Sequence, residues 1–452
     1  MSRSERWTLG LVVTFFAVGY GVYGLFRHWN FGSSAFDLGI FDQIVWHLSR
    51  FEPPSSSIRG FSNFLGDHFF PIIVGFAPLY WIRPGAETLI VAQAVLLAAS
   101  IAPVFLFIRR RIPSAPAIAL AIAYGCFWGI QRAMAFDVHE TAFAPLLIAM
   151  VILAMDQRRW TLFWIAVAAM LSVKEDHLPL LTAIGVYLLL AGERRQGGIA
   201  IAASAVASFL IVGVIVPALN DTGVYGYSSA YVNVAARPWT APVLLVTPAL
   251  KVATALLWFA PFLFMSLASP LVILVAPFVL TRFLSDSPNH WSTVFHYSAP
   301  LAPIIAMSAA DGLARIARRL PARAPHRTIV GAAAASVILS AFLPGRQPLW
   351  RIFAPGHYAA SDAARVGRHI LATIPADASV VAQAAIVPHL SLRTRIHVLD
   401  AGAPDADFVI AADTLSPWPA AGPDELRALI EQRKANGYTV AIQESGWTIL
   451  RR

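Results

Sequence analysis

The chain has 452 residues, of which 57% are hydrophobic and only 13% are charged. A soluble globular protein is closer to one quarter charged, so the composition excludes that class and predicts a polytopic α-helical membrane protein. The net charge of +9 does not indicate nucleic-acid binding, because the arginines mostly flank apolar segments, where they orient helices in a membrane. The single cysteine, Cys126, allows no intrachain disulfide.

The N-terminal part of the chain indicates one membrane span followed by a long loop. Arg3 and Arg6 precede an apolar segment over residues 9–26, which is too long for a signal-peptide core and has no small-residue cleavage site after it. We therefore predict a retained first span that begins in the cytoplasm, because arginines favour that side. An outer loop over residues 27–85 follows, with an amphipathic segment near residues 40–48.

The apolar segment Phe69–Ile82 decides on which side all later loops lie. It is short and contains Pro71 and Pro78. If it crossed the membrane, the arginines at positions 109–111 would lie outside, so we interpret it as a helix against the outer surface. Ten further spans follow, which gives eleven in a transmembrane domain over residues 1–345. Their approximate limits are 87–108, 115–131, 141–156, 160–173, 178–191, 197–217, 252–267, 269–284, 297–314 and 328–344.

Residues 346–452 have the composition of a small soluble α/β domain, which the odd number of spans places outside the cytoplasm. No phosphate loop, zinc motif or nucleophile elbow is found in it, and we expect it to cover or extend a site at the membrane. Helical patterns and short apolar runs predict its elements. They are helices at Ser361–Thr373 and Asp424–Asn436, strands at Ser379–Val381, Ile396–Leu399 and Phe408–Ala411, and a closing hairpin at Tyr438–Gln443 and Trp447–Leu450.

Three clusters of charged residues interrupt the apolar chain, all on the predicted outer side, and such residues beside hydrocarbon are functional-site candidates. The first contains Asp37 and Asp42, in the loop after the first span. Either carboxylate could act as a general base towards an acceptor hydroxyl or bind a divalent cation. Either could also be only a helix N-cap, where aspartate is favoured.

The second and third clusters lie between later spans. Asp137, His139 and Glu140 could bind Mg²⁺ or Mn²⁺, or they could form a polar turn that caps the next helix. In the run Lys174-Glu175-Asp176-His177, the lysine could hold a phosphate while Glu175 and Asp176 bind metal or catalyse. The alternative for this run is a turn whose charges pair with one another.

Further residues near the predicted outer ends of spans could contact a substrate. His68 lies late in the first loop, Arg132 and Arg282 could clamp a diphosphate, and His296 lies in a polar outer loop. The arginines could instead be interfacial anchors, and a lone loop histidine could simply be solvated.

Several motifs together resemble a bacterial multi-pass family known as domain of unknown function 2079. They are Phe36-Asp-Leu-Gly-Ile-Phe-Asp-Gln43, Gly66-Asp-His68, Asp137-Val-His-Glu140 and Lys174-Glu-Asp176, and the resemblance covers about residues 8–345. That family is similar to the C-type (GT-C) membrane glycosyltransferases. These enzymes take sugars from polyprenyl-phosphate donors outside the cytoplasm and carry an acidic residue in the first outer loop. Asp37 matches that position, whereas the adjacent acidic pair of some members is absent from the first loop, and Glu175-Asp176 is the only such pair in the membrane region.

The resemblance implies a glycosyltransferase in the bacterial inner membrane that moves a sugar from a polyprenyl-phosphate donor to an envelope lipid, glycan or protein. Membrane lipids are its other expected partners, and Mg²⁺ or Mn²⁺ is the expected cofactor if there is one. A proton- or cation-coupled transporter or lipid flippase could use the same acidic residues, but it would place them near the bilayer midplane between inverted repeats. A scaffold whose outer domain binds an envelope partner is a third hypothesis.

Overall fold

Helices form the first three quarters of the chain, and a mixed β-sheet lies in the last quarter. This arrangement comes from a computed structural model that describes residues 1–321, 324–345 and 347–452. The helices of the N-terminal half are α1 (Arg3–Trp29), α2 (Ile40–Ser49), α3 (Ala77–Tyr80), α4 (Ala86–Ala99), α5 (Ile101–Arg109), α6 (Ser114–Gly125), α7 (Trp128–Phe136), α8 (Ala144–Asp156), α9 (Trp160–Leu171), α10 (Leu178–Leu190), α11 (Arg194–Leu210) and α12 (Val216–Leu219).

The second half begins with short helices and then returns to longer ones. These helices are α13 (Val232–Ala236), α14 (Ala241–Leu244), α15 (Ala249–Phe259), α16 (Ala276–Phe283), α17 (Pro288–Trp291), α18 (Ala302–Ala317), α19 (Ala324–Phe342), α20 (Asp362–Leu371) and α21 (Pro423–Ala435).

Four helical stretches in the described part of the chain are long and apolar enough to cross a membrane. A bent pair, Pro238–Leu244 with Ala249–Phe262, makes a fifth if it counts as one span. Three of the four stretches join consecutive helices: α4 with α5, α6 with α7, and α11 with α12. The four are Arg3–Trp29, Ala86–Arg109, Ser114–Phe136 and Arg194–Leu219.

The eleven segments predicted as spans all overlap helical structure, but their number of crossings stays a prediction. The apolar segment interpreted as a surface helix forms only the stretch Pro71–Tyr80. At about 1.5 Å of rise per residue, such a stretch is far shorter than a bilayer core of about 30 Å. The division of the chain at residue 346 also stays a prediction, because Arg346 lies outside the described residues.

Ion pairs join several helices at one end of the helical body, which we call the arginine end. Arg109 at the end of α5 pairs with Glu5 in the first turn of α1 at 2.7 Å. Arg111 pairs with Asp156, the last residue of α8, at 2.5 Å and with Asp311 of α18 at 3.2 Å. The loop before α8 therefore lies at the opposite end of that helix, which we call the cavity end.

Close packing of backbones supports this helical body where glycines meet. Gly185 of α10 faces Gly197 of α11, and a Cβ atom added at either glycine would lie less than 3.0 Å from the other's carbonyl oxygen. Small residues at such crossings allow van der Waals contact between apolar helices, which is a main source of helix association in lipid.

The sheet of the last quarter has the strand order β2-β1-β3-β5-β4. Strand β1 pairs in parallel with β2 and β3, while β5 pairs antiparallel with β3 and β4. Helix α21 covers one face through an apolar cluster, and Trp447 on the other face donates a hydrogen bond to Ala363 O in α20. The strands are β1 (Val380–Ala382), β2 (Ile396–Val398), β3 (Phe408–Ala412), β4 (Thr439–Glu444) and β5 (Trp447–Arg451). The helices and strands predicted within this segment are thus confirmed, with ends shifted by one or two residues.

Residues 347–452 contain the sheet, and we call them the sheet segment. This segment docks on the loop that follows α1. Ala35 N donates to Ala384 O at 2.8 Å, and Gln43 Nε2 donates to Arg393 O at 2.8 Å. Ser57 Oγ donates to Ile396 O at 2.7 Å. The first loop is therefore held between the cavity end of the helical body and the last quarter of the chain.

Candidate active site

Five stretches of sequence meet at one cavity of about 220 Å³ at the cavity end. The first loop, the turns before α8 and α10, and residues 225–231 and 281–297 each contribute side chains. The charged and polar members of the lining are Asp37, Arg59, Asp67, His68, His139, Glu140, Lys174, Asp176, Tyr225, Tyr227, Tyr231, Thr281, Arg282, His290 and Tyr297.

Asp37 reaches this cavity through an unusual backbone conformation. Its φ of 81° lies in the region that residues other than glycine rarely adopt, so neighbouring contacts must hold it there. Ala35 N is bonded to Ala384 O, and the Phe36 ring packs edge-on against Trp418 at 5.1 Å. Burial raises the pKa of the Asp37 carboxyl to about 6.

His139 and His296 lie beside Asp37. His139 Nε2 is 3.6 Å from Asp37 Oδ1, and the ring centroids of the two histidines are 3.9 Å apart. His296 is only 3% exposed, and neither of its ring nitrogens has a hydrogen-bond partner among the described residues. Asp37, His139 and His296 each offer one ligand atom, and these atoms lie within 4.8 Å of one another. This group could hold a metal ion.

Glu140 and Lys174 form a buried ion pair beside the histidines. The distance from Lys174 Nζ to Glu140 Oε1 is 3.1 Å, and the other carboxylate oxygen of Glu140 contacts His139 Nδ1. Burial opposes ionisation of Glu140, but its contacts with His139 and Lys174 outweigh burial and lower its pKa well below the ordinary value. Lys174 is therefore neutralised by Glu140 before any substrate binds.

Glu175 is fully engaged in contacts within the protein. Its carboxylate lies 2.5 Å from His68 Nδ1 and accepts hydrogen bonds from Phe69 N at 2.9 Å and from Tyr225 OH at 3.0 Å. Burial alone would raise the pKa of Glu175, but the His68 imidazole outweighs it and lowers this pKa to about 2. The carboxylate of Glu175 thus ties the first loop to the turn before α10.

Asp176 and Arg282 both line the cavity, and each has a polar atom without a hydrogen-bond partner among the described residues. Asp176 is exposed to the cavity, and no described residue donates a hydrogen bond to its carboxylate. Arg282 is buried and donates from Nε to His290 O at 2.5 Å and from Nη1 to Ser298 Oγ at 3.0 Å. Its remaining nitrogen, Nη2, has no partner among the described residues. One free carboxylate therefore lines the same cavity as an arginine whose Nη2 is buried without a partner.

Five of the predicted site residues are absent from the cavity lining: Glu175 and His296 lie directly behind lining residues, and Asp42, Asp137 and Arg132 lie elsewhere. Asp42 is buried against the sheet segment, where it accepts hydrogen bonds from Tyr80 OH and from Ser391 Oγ.

Asp137 pairs with Arg27 at the end of α1 and accepts a hydrogen bond from Ser34 N at 2.9 Å. Because these partners occupy its carboxylate, it does not join His139 and Glu140 in a ligand set. Arg132 lines a separate cavity of about 840 Å³, together with Arg27 and Arg351.

Some cavity residues were missed or undervalued by sequence reasoning. Arg59 lines the cavity, and an arginine in the loop predicted to lie outside is itself an exception to the rule that arginines lie in the cytoplasm. That exception was the available signal. Tyr297 carries no local signal, because its neighbours form an ordinary polar loop.

The family of the chain is decided by a sequence profile that matches residues 27–449 and carries the description "Predicted membrane protein (DUF2079)". The chain belongs to this family. The match extends through the sheet segment, whereas the sequence resemblance had been placed at residues 8–345. No curated protein matches the chain significantly.

Solved structures with a similar fold include ArnT from Cupriavidus metallidurans. The structure bound to undecaprenyl phosphate has a TM-score of 0.58 at 12% identity and covers 98% of both chains. The apo structure has the same TM-score and identity, and it covers 98% of this chain and 97% of the other. At this identity the likeness concerns the fold, which is the GT-C type of fold that the family resemblance implied.

Proposed function

We propose that this protein is a membrane glycosyltransferase that moves a sugar from a polyprenyl-phosphate donor to an envelope acceptor. The observation that carries the proposal is the cavity that brings the side chains of Asp37, Asp176 and Arg282 into one lining. A similar fold was crystallised with undecaprenyl phosphate, which supports a lipid phosphate as the donor's leaving group.

The charges of the cavity suit the departure of a phosphate from a sugar. When the glycosidic bond to the phosphate breaks, negative charge grows on the phosphate oxygens. Arg282 Nη2 and the nearby Arg59 guanidinium can stabilise that charge in a site shielded from bulk water. Lys174 contributes less, because Glu140 already neutralises it.

The acceptor needs a base that removes its hydroxyl proton as the new bond forms. Asp37 and Asp176 are the cavity carboxylates that can do so, since Glu175 is occupied by His68, Phe69 and Tyr225. Asp42 lies outside the cavity. The site therefore has two candidate bases, one on the first loop and one before α10.

An apolar groove of about 720 Å³ offers a path for the isoprenoid chain. It runs along α4 and the short stretch Pro71–Tyr80, and it is lined by residues such as Trp29, Phe76, Val91 and Phe143. Phe143 follows Glu140 by one helical turn, so the groove ends close to the cavity. The arginine end would then face the cytoplasm and the cavity the outer side of the inner membrane, as the arginine distribution favours.

Transfer can be tested directly with the purified full-length protein in nanodiscs. The protein would be incubated with a panel of radiolabelled polyprenyl-phosphate sugars and bacterial envelope lipids, and labelled product would be separated from donor. We expect transfer from at least one donor and a loss of about 100-fold or more in Asp176→Asn or Asp37→Asn, the usual scale for a general base.

The matched control is Asp424→Asn, which changes an exposed carboxylate on α21 in the same chemical way and should keep full activity. Normally folded Asp37→Asn, Glu140→Gln, Glu175→Gln and Asp176→Asn variants that all retain full transfer would contradict the proposal. The transporter hypothesis gains no support from Glu175, because its carboxylate is occupied by His68, Phe69 N and Tyr225 and is not free to bind a coupling ion.

A further inference from the structure

We propose that Asp37, His139 and His296 bind one divalent transition-metal ion, such as Zn²⁺ or Mn²⁺, at the cavity. The ion-binding claim stands on these three side chains alone. The use of the ion in catalysis rests on the proposed function. The ligand set differs from the sequence prediction, which grouped Asp137, His139 and Glu140, because Asp137 is held by Arg27.

The positions of the three side chains suit a single ion. One ligand atom from each lies within 4.8 Å of the others, and the ligands come from the first loop, the turn before α8 and the segment before α18. A metal with bonds of about 2.1 Å needs its ligand atoms roughly 3–4 Å apart. Small rotations of the side chains are therefore enough to close the site.

His296 supplies an independent reason for a ligand at this place. It is 3% exposed, and both ring nitrogens lack hydrogen-bond partners among the described residues. A buried polar group without a partner costs about 1–3 kcal/mol, so native proteins rarely leave one. A metal ion bound to one nitrogen removes much of this cost.

Glu140 prepares His139 for metal binding. Its carboxylate contacts Nδ1 of His139, and this contact places the ring proton on Nδ1 and leaves the lone pair on Nε2, the atom that faces Asp37. Carboxylates commonly hold metal-binding histidines in this way and make them more basic. Lys174, 3.1 Å from the other oxygen of Glu140, fixes the carboxylate in turn.

The donor atoms indicate which ions fit. Two imidazoles and one carboxylate suit Zn²⁺, Mn²⁺ or Co²⁺, whereas Mg²⁺ prefers oxygen ligands and retains several waters. The sequence led us to expect Mg²⁺ or Mn²⁺. Of these two ions, the ligand set favours Mn²⁺ and disfavours Mg²⁺. Three protein ligands also leave coordination positions open towards the cavity.

The metal assigns separate tasks to the two cavity carboxylates. If Asp37 is a ligand, its carboxylate is no longer free to remove a proton, and Asp176 remains as the base for the acceptor. The open positions of the ion suit phosphate oxygens of the donor, next to Arg282. Asp37 then matters for donor binding and Asp176 for proton transfer.

Metal binding is measurable without any substrate. Full-length protein would be purified in detergent, freed of its affinity tag and treated with a chelator. Its content of Zn²⁺, Mn²⁺ and Co²⁺ would then be measured by elemental analysis after reloading, and Co²⁺ binding would be followed by visible absorption. We expect one equivalent per chain, lost in His139→Ala and in His296→Gln.

Two further variants make the test specific. Glu140→Gln should weaken the affinity about 10- to 100-fold, the usual effect of removing a carboxylate that holds a metal-binding histidine. His290→Ala removes another cavity histidine that is outside the ligand group, and it should retain one equivalent. Size-exclusion profiles would show that each variant is folded.

The proposal is wrong if the wild-type protein binds none of the three ions, a result that needs no variant. It is also wrong if folded His139→Ala and His296→Gln proteins still bind one equivalent. Its failure differs from failure of the proposed function. Metal binding without sugar transfer would contradict only the glycosyltransferase, and transfer by metal-free protein would contradict only the use of the ion in catalysis.

Discussion

Glu175 and Asp176 are neighbours in the chain, yet their carboxylates have different surroundings. Glu175 accepts hydrogen bonds inside the protein, while Asp176 faces the cavity without a partner among the described residues. The sequence predicted both as catalytic, because adjacent acids near a membrane stand out. It could not separate them, since the direction of each side chain depends on His68, more than 100 residues earlier.

The variants Glu175→Gln and Asp176→Asn should therefore differ in their free energy of unfolding. Glu175→Gln breaks a buried pair with His68, and we expect it to lower the free energy of unfolding by about 3–5 kcal/mol. Asp176→Asn should change that free energy by no more than about 0.5 kcal/mol, because it disturbs no internal contact. Thermal unfolding of both purified proteins in the same detergent checks this. Equal stability of Glu175→Gln and wild type would contradict the assignment.

At the scale of elements, the turns before α8 and α10 are built alike. In each, an extended residue, His139 or Lys174, precedes a short 3-10 turn and then a helix with proline in its first turn. Proline fits there because its missing N–H would have no partner inside the helix. The sequence predicted both helices from their apolar runs. It did not predict that the two turns face one cavity, because that depends on packing between helices.

The docking of α2 on the sheet segment predicts a pH effect on stability. Burial raises the pKa of Asp42 from 3.8 to about 7, although Ser391 and Tyr80 donate to it. The folded state therefore holds a proton that the unfolded chain releases. This stabilisation is complete below pH 3.8 and is lost as the pH rises towards 7. At about 1.4 kcal/mol per pKa unit it amounts to roughly 4 kcal/mol.

Asp42→Asn should remove most of this dependence, because an amide has no proton to lose in this range. We expect the melting temperature of wild type to fall between pH 5 and pH 8 and that of Asp42→Asn to fall distinctly less. Asp424→Asn, at an exposed position, should behave as wild type does. Parallel pH curves for wild type and Asp42→Asn would refute the assignment.

At the scale of the whole molecule, the sheet segment holds the loop that carries Asp37. Ala35 is bonded to Ala384, Phe36 packs on Trp418, and Ser57 is bonded to Ile396. The sequence predicted the helices and strands of this segment from local patterns. Its contacts with the first loop join residues more than 300 positions apart and leave no local pattern.

Trp418→Ala should loosen the first loop without unfolding the protein. Loss of one aromatic pair costs about 0.5–1.5 kcal/mol, so amide hydrogens near residues 35–39 should exchange about two- to tenfold faster. Hydrogen–deuterium exchange followed by mass spectrometry measures this directly. Trp239→Ala, at an exposed position far along the chain, should leave these amides unchanged. Unchanged exchange in Trp418→Ala would show that the sheet segment does not hold the loop.

The bond between Ala35 and Ala384 also has a consequence for biosynthesis. The ribosome makes Asp37 early, but the residues that hold its backbone at a φ of 81° are made only after some 350 more have followed. Every chain still being translated therefore lacks the support for its first loop. The protein can acquire a complete site only when synthesis is nearly finished, so a nascent chain at the translocon cannot act on the lipids around it.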